Sequence, residues 1–249
     1  MVSCFIAIGF VCQKGGYFHL SLPKFDRITL QGLVRVGSSS ILEMGCLRVG
    51  FLITSRLVAG IGTNAFAAYQ IVSQVTSLSF TLGDGISAAG TSLVGQSLGA
   101  KEKDLAMIHV RIARRVSIIV SIALMVVIFL LRRQLALLFT REEEIILGVT
   151  LSFYVVIAGV LPQNGRVVYS GCLRGAGDVR YVAMCALISV TVLRPILTYL
   201  FCYPFAKVLP ALPIAVAGPW VAFDIDAYVR NYLLARRIKQ GRWLDIKLS

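Results

Sequence analysis

Residues 116–131 read VSIIVSIALMVVIFLL, sixteen uncharged residues held between Arg114–Arg115 and Arg132–Arg133. A helix of that length rises ~24 Å, somewhat less than the ~30 Å hydrocarbon layer of a bilayer, and the flanking arginines can extend their charged heads to the interface. The stretch reads as a membrane span, and the rest of the chain agrees with it. Of 249 residues, 57% are apolar and 15% charged, with a mean hydropathy of +0.80, against about 45–50% and about 25% in soluble domains. That composition excludes a water-soluble globule and, through its hydrophobicity, a disordered chain. Six cysteines, none in a C-x-x-C pair and most inside apolar stretches, are too sparse for a disulfide scaffold and are expected as buried free thiols.

Working outward, five more spans emerge. Leu30–Val58 is apolar but carries Glu43 and Arg48, and Ala65–Gly95 follows a turn built from Gly60, Gly62 and Asn64. Ile145–Ser170 is interrupted by Pro162 and Gly165, Tyr181–Ala206 by Arg194 and Pro195, and Ala211–Ala235 holds Pro213 and Pro219. Such breaks survive in lipid only where protein or cavity water satisfies the freed backbone groups, so the expected fold is all-α: a polytopic membrane bundle of six transmembrane helices. Residues 1–13 are apolar but too short to span, and lack the basic start and small-residue cleavage site of a signal peptide. Residues 14–36 are amphipathic and suit a connector at the membrane surface, residues 37–235 form the helical body, and residues 236–249 are a basic tail.

The net charge of +13 would suggest nucleic acid in a soluble chain, but here the basic residues cluster between apolar runs and no nucleic-acid partner is expected. One side of the six spans collects sixteen basic residues, Lys101, Lys103, Arg111, Arg114 and Arg115 among them. The other side holds five: Arg56, Arg132, Arg133, Arg141 and Lys207. The imbalance places both ends in the cytoplasm.

Polar residues inside the spans are the candidate functional groups. Gln70, Gln74, Ser77, Thr81 and Asp84 are spaced four, three, four and three apart, which makes one stripe on a helix. Such a stripe either lines a wet translocation path or hydrogen-bonds neighbouring helices. Glu43, about a dozen residues into its span, must be paired, protonated or wetted, and Arg48 is one available partner. Asp84, between two glycines, favours a local structural role, and Arg194 before Pro195 favours structural use: bonding the carbonyls proline leaves unpaired, or holding an acid. His19 and His109 lack a catalytic constellation and are expected to be solvated. Gly175–Asp178 has neither the strand nor the lysine of a phosphate loop, no metal-ligand cluster is evident, and an enzyme is not expected.

Four stretches carry a family likeness. GDGISAAGTSLVGQSLGAKEKDLA at Gly83–Ala106 closely resembles the second span and cytoplasmic loop in the C-terminal half of multidrug and toxic compound extrusion (MATE) transporters. SGCLRGAGDVR at Ser170–Arg180 is similar to that family's LRGxGD-type loop, Trp220–Trp243 to its closing helix and tail, and Gly62–Gln70 fits GTxAxAAYQ. The resemblance implies a twelve-helix antiporter of two six-helix lobes related by a pseudo-two-fold axis along the membrane normal. Residues 37–235 would be the C-terminal lobe, 1–13 the stump of the preceding helix and 14–36 the inter-lobe linker.

The family exports organic cations and other toxic compounds through a cleft between lobes, driven by inward proton or sodium flow and by rocking of the lobes. No cofactor beyond that coupling ion is implied. Glu43 matches an acid used for coupling, although Ser39 stands where a proline commonly precedes it, and some members place the acid at the position of Leu47. Gln163 stands where some members have a second carboxylate, and is expected on the path lining with the stripe. Arg174, Asp178 and Arg180 match the loop motif that holds helices together. The implied setting is a bacterial plasma membrane, and the implied partners are the lipid bilayer, a small and cationic substrate, and an absent N-terminal lobe or a second copy. The alternatives are a non-transporting fragment serving as a membrane interaction partner, and a lipid-linked sugar flippase of the same superfamily, against which the loop Gly95–Ala100 speaks.

Overall fold

The computed structural model describes Ile41, Met44, Gly45, 47–204 and 214–245. Glu43, the segments 1–13 and 14–36, and the ends of the first, fifth and sixth predicted spans lie outside the described residues. Six helices carry the chain: α1 (47–59), α2 (Thr63–Gly99), α3 (Lys103–Leu137), α4 (Glu143–Gly175), α5 (Val179–Cys202) and α6 (Ile214–Lys239), with a 3₁₀ turn at Arg242–Asp245. No strand occurs among the described residues. Short links between α2 and α3, α3 and α4, and α4 and α5 make these neighbours antiparallel.

The quoted run 116–131 is the centre of α3, which continues through its flanking arginines in both directions. At one end the Arg132 guanidinium lies 4.6 Å from the Phe129 ring and 5.2 Å from that of Tyr154, and it donates to the Phe129 carbonyl, so the charged head folds back over the rings. α3, α4 and α5 are each long and apolar enough to cross a membrane. Ile119, Leu130, Leu138 and Met184 are 68%, 64%, 77% and 63% exposed, an apolar exterior that water would not tolerate and lipid would. α2 and α6 carry more polar groups, which is what a helix facing a wet interior requires.

α4 is the central element, packing on α2, α3 and α6, with α5 against α6. The α2–α4 contact is close because both faces are small. Ser87 Oγ donates to the Val167 carbonyl at 3.0 Å and Thr91 Oγ1 to the Gly171 carbonyl at 2.9 Å. A Cβ on Gly171 would sit 2.1 Å from Ser87 Oγ, and one on Gly175 would sit 2.3 Å from the Thr91 carbonyl oxygen. Small residues and hydroxyl groups are the usual means by which helices associate in lipid. Two apolar cores flank this seam: one at the end where Tyr69, Phe153 and Trp220 meet, the other where Val94, Leu173, Leu234 and Trp243 meet.

Three expectations are corrected. Pro162 does not interrupt its span, because α4 runs unbroken from Glu143 to Gly175. The carbonyl that proline strands, that of Ala158, accepts a hydrogen bond from the Tyr228 hydroxyl of α6 at 3.0 Å. Arg194–Pro195 likewise does not break α5; a π turn at Ser189–Leu193 precedes it and absorbs one extra residue. α1 meets that turn at Gly50, where a Cβ would lie 2.4 Å from Val190 Cγ1. Finally, His109 is half-buried rather than solvated, its Nδ1 2.9 Å from Ser97 Oγ. Cys172 and Cys202 are buried free thiols, and Cys185 is half-buried and free.

Candidate translocation cavity

A hollow of about 540 Å³ is lined from α1, α2, α4, α5 and α6. That volume suits a small organic molecule. Each helix contributes by its own periodicity. On α2 the lining residues Tyr69, Ser73, Phe80 and Asp84 are four, seven and four apart, one face of a helix. On α4, Gln163, Arg166, Ser170 and Arg174 follow at three- and four-residue steps.

Five rings form a continuous belt along this hollow. Phe51 lies 6.2 Å from Tyr69, Tyr69 5.3 Å from Trp220, Trp220 5.9 Å from Phe223, and Phe223 stacks on Phe80 at 5.6 Å. The belt joins α1, α2 and α6 and offers a flat apolar surface.

The charged groups stand against this belt. Arg194 of α5 donates to Asp226 Oδ2 of α6, and Arg230 donates to the same oxygen at 2.9 Å. Asp226 is completely buried, so one carboxylate compensates two guanidinium groups. The Arg194 guanidinium also lies 4.6 Å from the Phe223 ring, and its Nε–H is buried with no hydrogen-bond partner among the described residues. Arg166 Nε donates to Gln163 Oε1 at 3.1 Å. Arg48 and Arg174 complete the basic side chains of the lining, whereas Asp84 is the one acid among the described lining residues.

The sequence-predicted residues divide as follows. Asp84, Gln163, Arg174 and Arg194 line the cavity together. Gln70, Gln74, Ser77 and Thr81 face outward on α2 beside it, with Ser77 and Thr81 bonded back to their own helix at the Gln74 and Ser77 carbonyls. Asp178 sits away from the hollow at the α4–α5 corner, where Arg237 Nε reaches its Oδ2 at 2.7 Å, and Arg180 is exposed nearby. Glu43 lies outside the described residues.

Sequence reasoning passed over Asp226 and Asp224. Asp226 and Arg230 stand four apart on one helix, the spacing of an ion pair, and that signal was available. Asp224 is buried without an ion-pair or hydrogen-bond partner among the described residues. It borders a space of about 10 Å³ shared with Thr76, Ser79, Gln163 and Asn164, roughly the room of one water. The ring belt was also missed, because aromatic residues on an apolar helix look like ordinary core.

Known proteins bear on this arrangement. The family model MatE matches residues 39–200. Multidrug resistance protein MdtK of Edwardsiella ictaluri is 27% identical over 88% of this chain and 47% of its own length. The probable multidrug resistance protein NorM of Mannheimia succiniciproducens is 30% identical over 84% of this chain and 44% of its own. A solved multidrug resistance MATE family transporter in an outward-facing conformation superposes with a TM-score of 0.84 at 18% identity, over 98% of this chain and 54% of that one, a likeness of fold. The chain spans about half the length of the curated relatives it matches. With the family match covering most of the helical body and the fold agreeing, the chain belongs to the MATE (MatE) family, one of membrane transporters rather than enzymes.

Proposed function

We propose that this chain forms one six-helix lobe of a secondary antiporter, and that its cavity is one wall of the export cleft. The observation that carries the reading is the convergence of five helices on a 540 Å³ hollow with a ring belt and intramembrane charges. Charged groups stay inside a bilayer only where a partner, water or a ligand meets them. The relatives named as multidrug resistance proteins support small-molecule export. The resemblance implies organic cations as cargo; the ring belt supports the flat apolar body of such compounds, and the arginines among the rings bear on its charge.

Coupling to a proton or sodium ion is assigned to a carboxyl group. Glu43 is the candidate by resemblance, and Asp224 the candidate by burial beside a water-sized space. The half-length match supports a requirement for a second lobe, either an N-terminal one or another copy. The basic-residue balance supports a plasma-membrane protein with both ends in the cytoplasm. The same half-length coverage favours the second reading, a non-transporting fragment. Proteoliposomes separate them: the lobe joined to its complementing half should drive substrate flux down an imposed proton or sodium gradient, and Glu43→Gln or Asp224→Asn should remove that dependence. Gradient-independent flux, or none from a folded complex, defeats the antiport reading.

A further inference from the structure

We propose that Asp224 of α6, with hydroxyl and amide oxygens of α2 and α4 beside it, forms a site for one dehydrated sodium ion next to the ring belt. The proposal deepens the antiporter reading and rests on it for the use of the ion in transport. Asp224 is neither of the positions at which the family resemblance implies a coupling acid, those of Glu43 and Gln163.

The two acids of the sequence Phe223–Ala227 meet different fates. Asp226 is held by Arg194 and Arg230. Asp224 is 7% exposed and makes no ion pair or hydrogen bond among the described residues. It lies against Gly159 of α4, where a Cβ would come 1.7 Å from Asp224 Oδ1, so the missing side chain of the glycine makes the room that the carboxyl group occupies. A carboxyl group at that depth within a span needs a proton, water or a cation.

Its surroundings select among these. The space of about 10 Å³ beside Asp224 is bordered by Thr76 and Ser79 of α2 and by Gln163 and Asn164 of α4. The Thr76 hydroxyl spends its proton on the Val72 carbonyl at 2.6 Å, which leaves the oxygen only lone pairs to offer. Asn164 spends its Nδ2 on Ser121 Oγ at 2.9 Å and keeps Oδ1 as an acceptor. Ser79 makes no side-chain hydrogen bond among the described residues. Gln163 is not counted as a ligand, because its Oε1 already accepts from Arg166.

One carboxylate among neutral oxygens is the ligand set of a hard cation, and a protonated carboxyl group has no need of it. The space has room for about one water and none for a hydration shell. The ion that fits is therefore bare and small, and a single positive charge neutralises Asp224. Sodium meets both conditions, whereas potassium is nearly as large as the water the space would hold. Phe80, Gln163, Trp220 and Phe223 border this space and the larger hollow alike, so the hollow is the route by which the ion arrives.

The test is equilibrium binding of radiolabelled sodium to the full chain in phosphatidylcholine nanodiscs, with empty discs subtracted and ionic strength held with choline chloride. The expected result is saturable binding, at least tenfold selective over potassium, of which Asp224→Asn removes one ion per chain. Ser79→Ala and Thr76→Val should each weaken that ion's binding at least fivefold. Monodisperse elution and an unchanged Tm in choline chloride qualify each variant, and Ser79→Ala decides the matter if Asp224→Asn fails to fold. No saturable sodium binding, equal competition by potassium, the same number of ions in folded Asp224→Asn, or unchanged affinity in folded Ser79→Ala and Thr76→Val overturns the proposal. The readout needs no gradient: sodium held at Asp224 without gradient-driven export sinks the antiport reading alone, and export by a chain that binds no sodium sinks this one alone.

Discussion

Asp226 is a keystone between two helices, because its fully buried carboxylate holds Arg194 from α5 and Arg230 from its own helix. Removing one partner of a buried ion pair costs on the order of 3–5 kcal/mol, since the remaining charge loses its compensation. Asp226→Ala should therefore lower the Tm of the detergent-solubilised chain by many degrees, while Asp84→Ala, at an exposed position, should leave it nearly unchanged. Comparable effects from the two would mean that Asp226 is not the keystone described. At this scale the sequence was partly legible. Arg194 was readable as a group needing an acid, and it has one. Which acid it meets depends on how α5 and α6 are rotated against each other, and no periodicity within either helix encodes that.

The elements show how a membrane helix keeps residues that break helices in water. Pro162 removes a donor from α4, and the Tyr228 hydroxyl supplies one from α6. A neutral hydrogen bond of this kind contributes about 0.5–1.5 kcal/mol. Tyr228→Phe should lose that amount in the natural background and close to nothing in Pro162→Ala, where the helix supplies its own donor. A double-mutant cycle on thermal unfolding measures the coupling, and additive losses would contradict the compensation. The α2–α4 seam makes a second element-level prediction. Gly175→Ala would press a Cβ to 2.3 Å from the Thr91 carbonyl oxygen. Backbone cannot yield as a flexible side chain can, so a loss of about 1–3 kcal/mol is expected. Gly85→Ala, with open space around it, should be neutral or mildly favourable on the same assay.

The spans themselves were legible because hydrophobic length alone marks them, and the centres of α2 to α6 fall where the apolar runs do. The breaks were not, because the partners that mend them come from other helices. The polar face of α2 shows the same limit. Gln70, Gln74, Ser77, Thr81 and Asp84 are its most polar line. The cavity is instead bordered by Tyr69, Ser73, Phe80 and Asp84, a face that mixes rings with hydroxyl and carboxyl groups. Hydropathy ranks that mixed face below the stripe, although a site for amphipathic cargo needs that mixture.

At the scale of the whole molecule, the proposed function makes the ring-lined hollow one wall of a cleft. The chain alone, folded in liposomes, should show no gradient-driven flux, whereas the chain supplied with a complementing lobe should show it; transport by monomers alone would mean that the opposite wall is dispensable. The most direct test of the account is water access to the hollow. In a variant with all six native cysteines replaced by serine, single cysteines at Ser73, Asp84, Ile119 and Leu130 are treated with a membrane-impermeant thiol reagent applied to both faces of sealed membranes. The account predicts rapid labelling at Ser73 and Asp84, which line the cavity, and none at Ile119 and Leu130, which face lipid. Protection of Ser73 and Asp84 equal to that of Ile119 and Leu130 would contradict it.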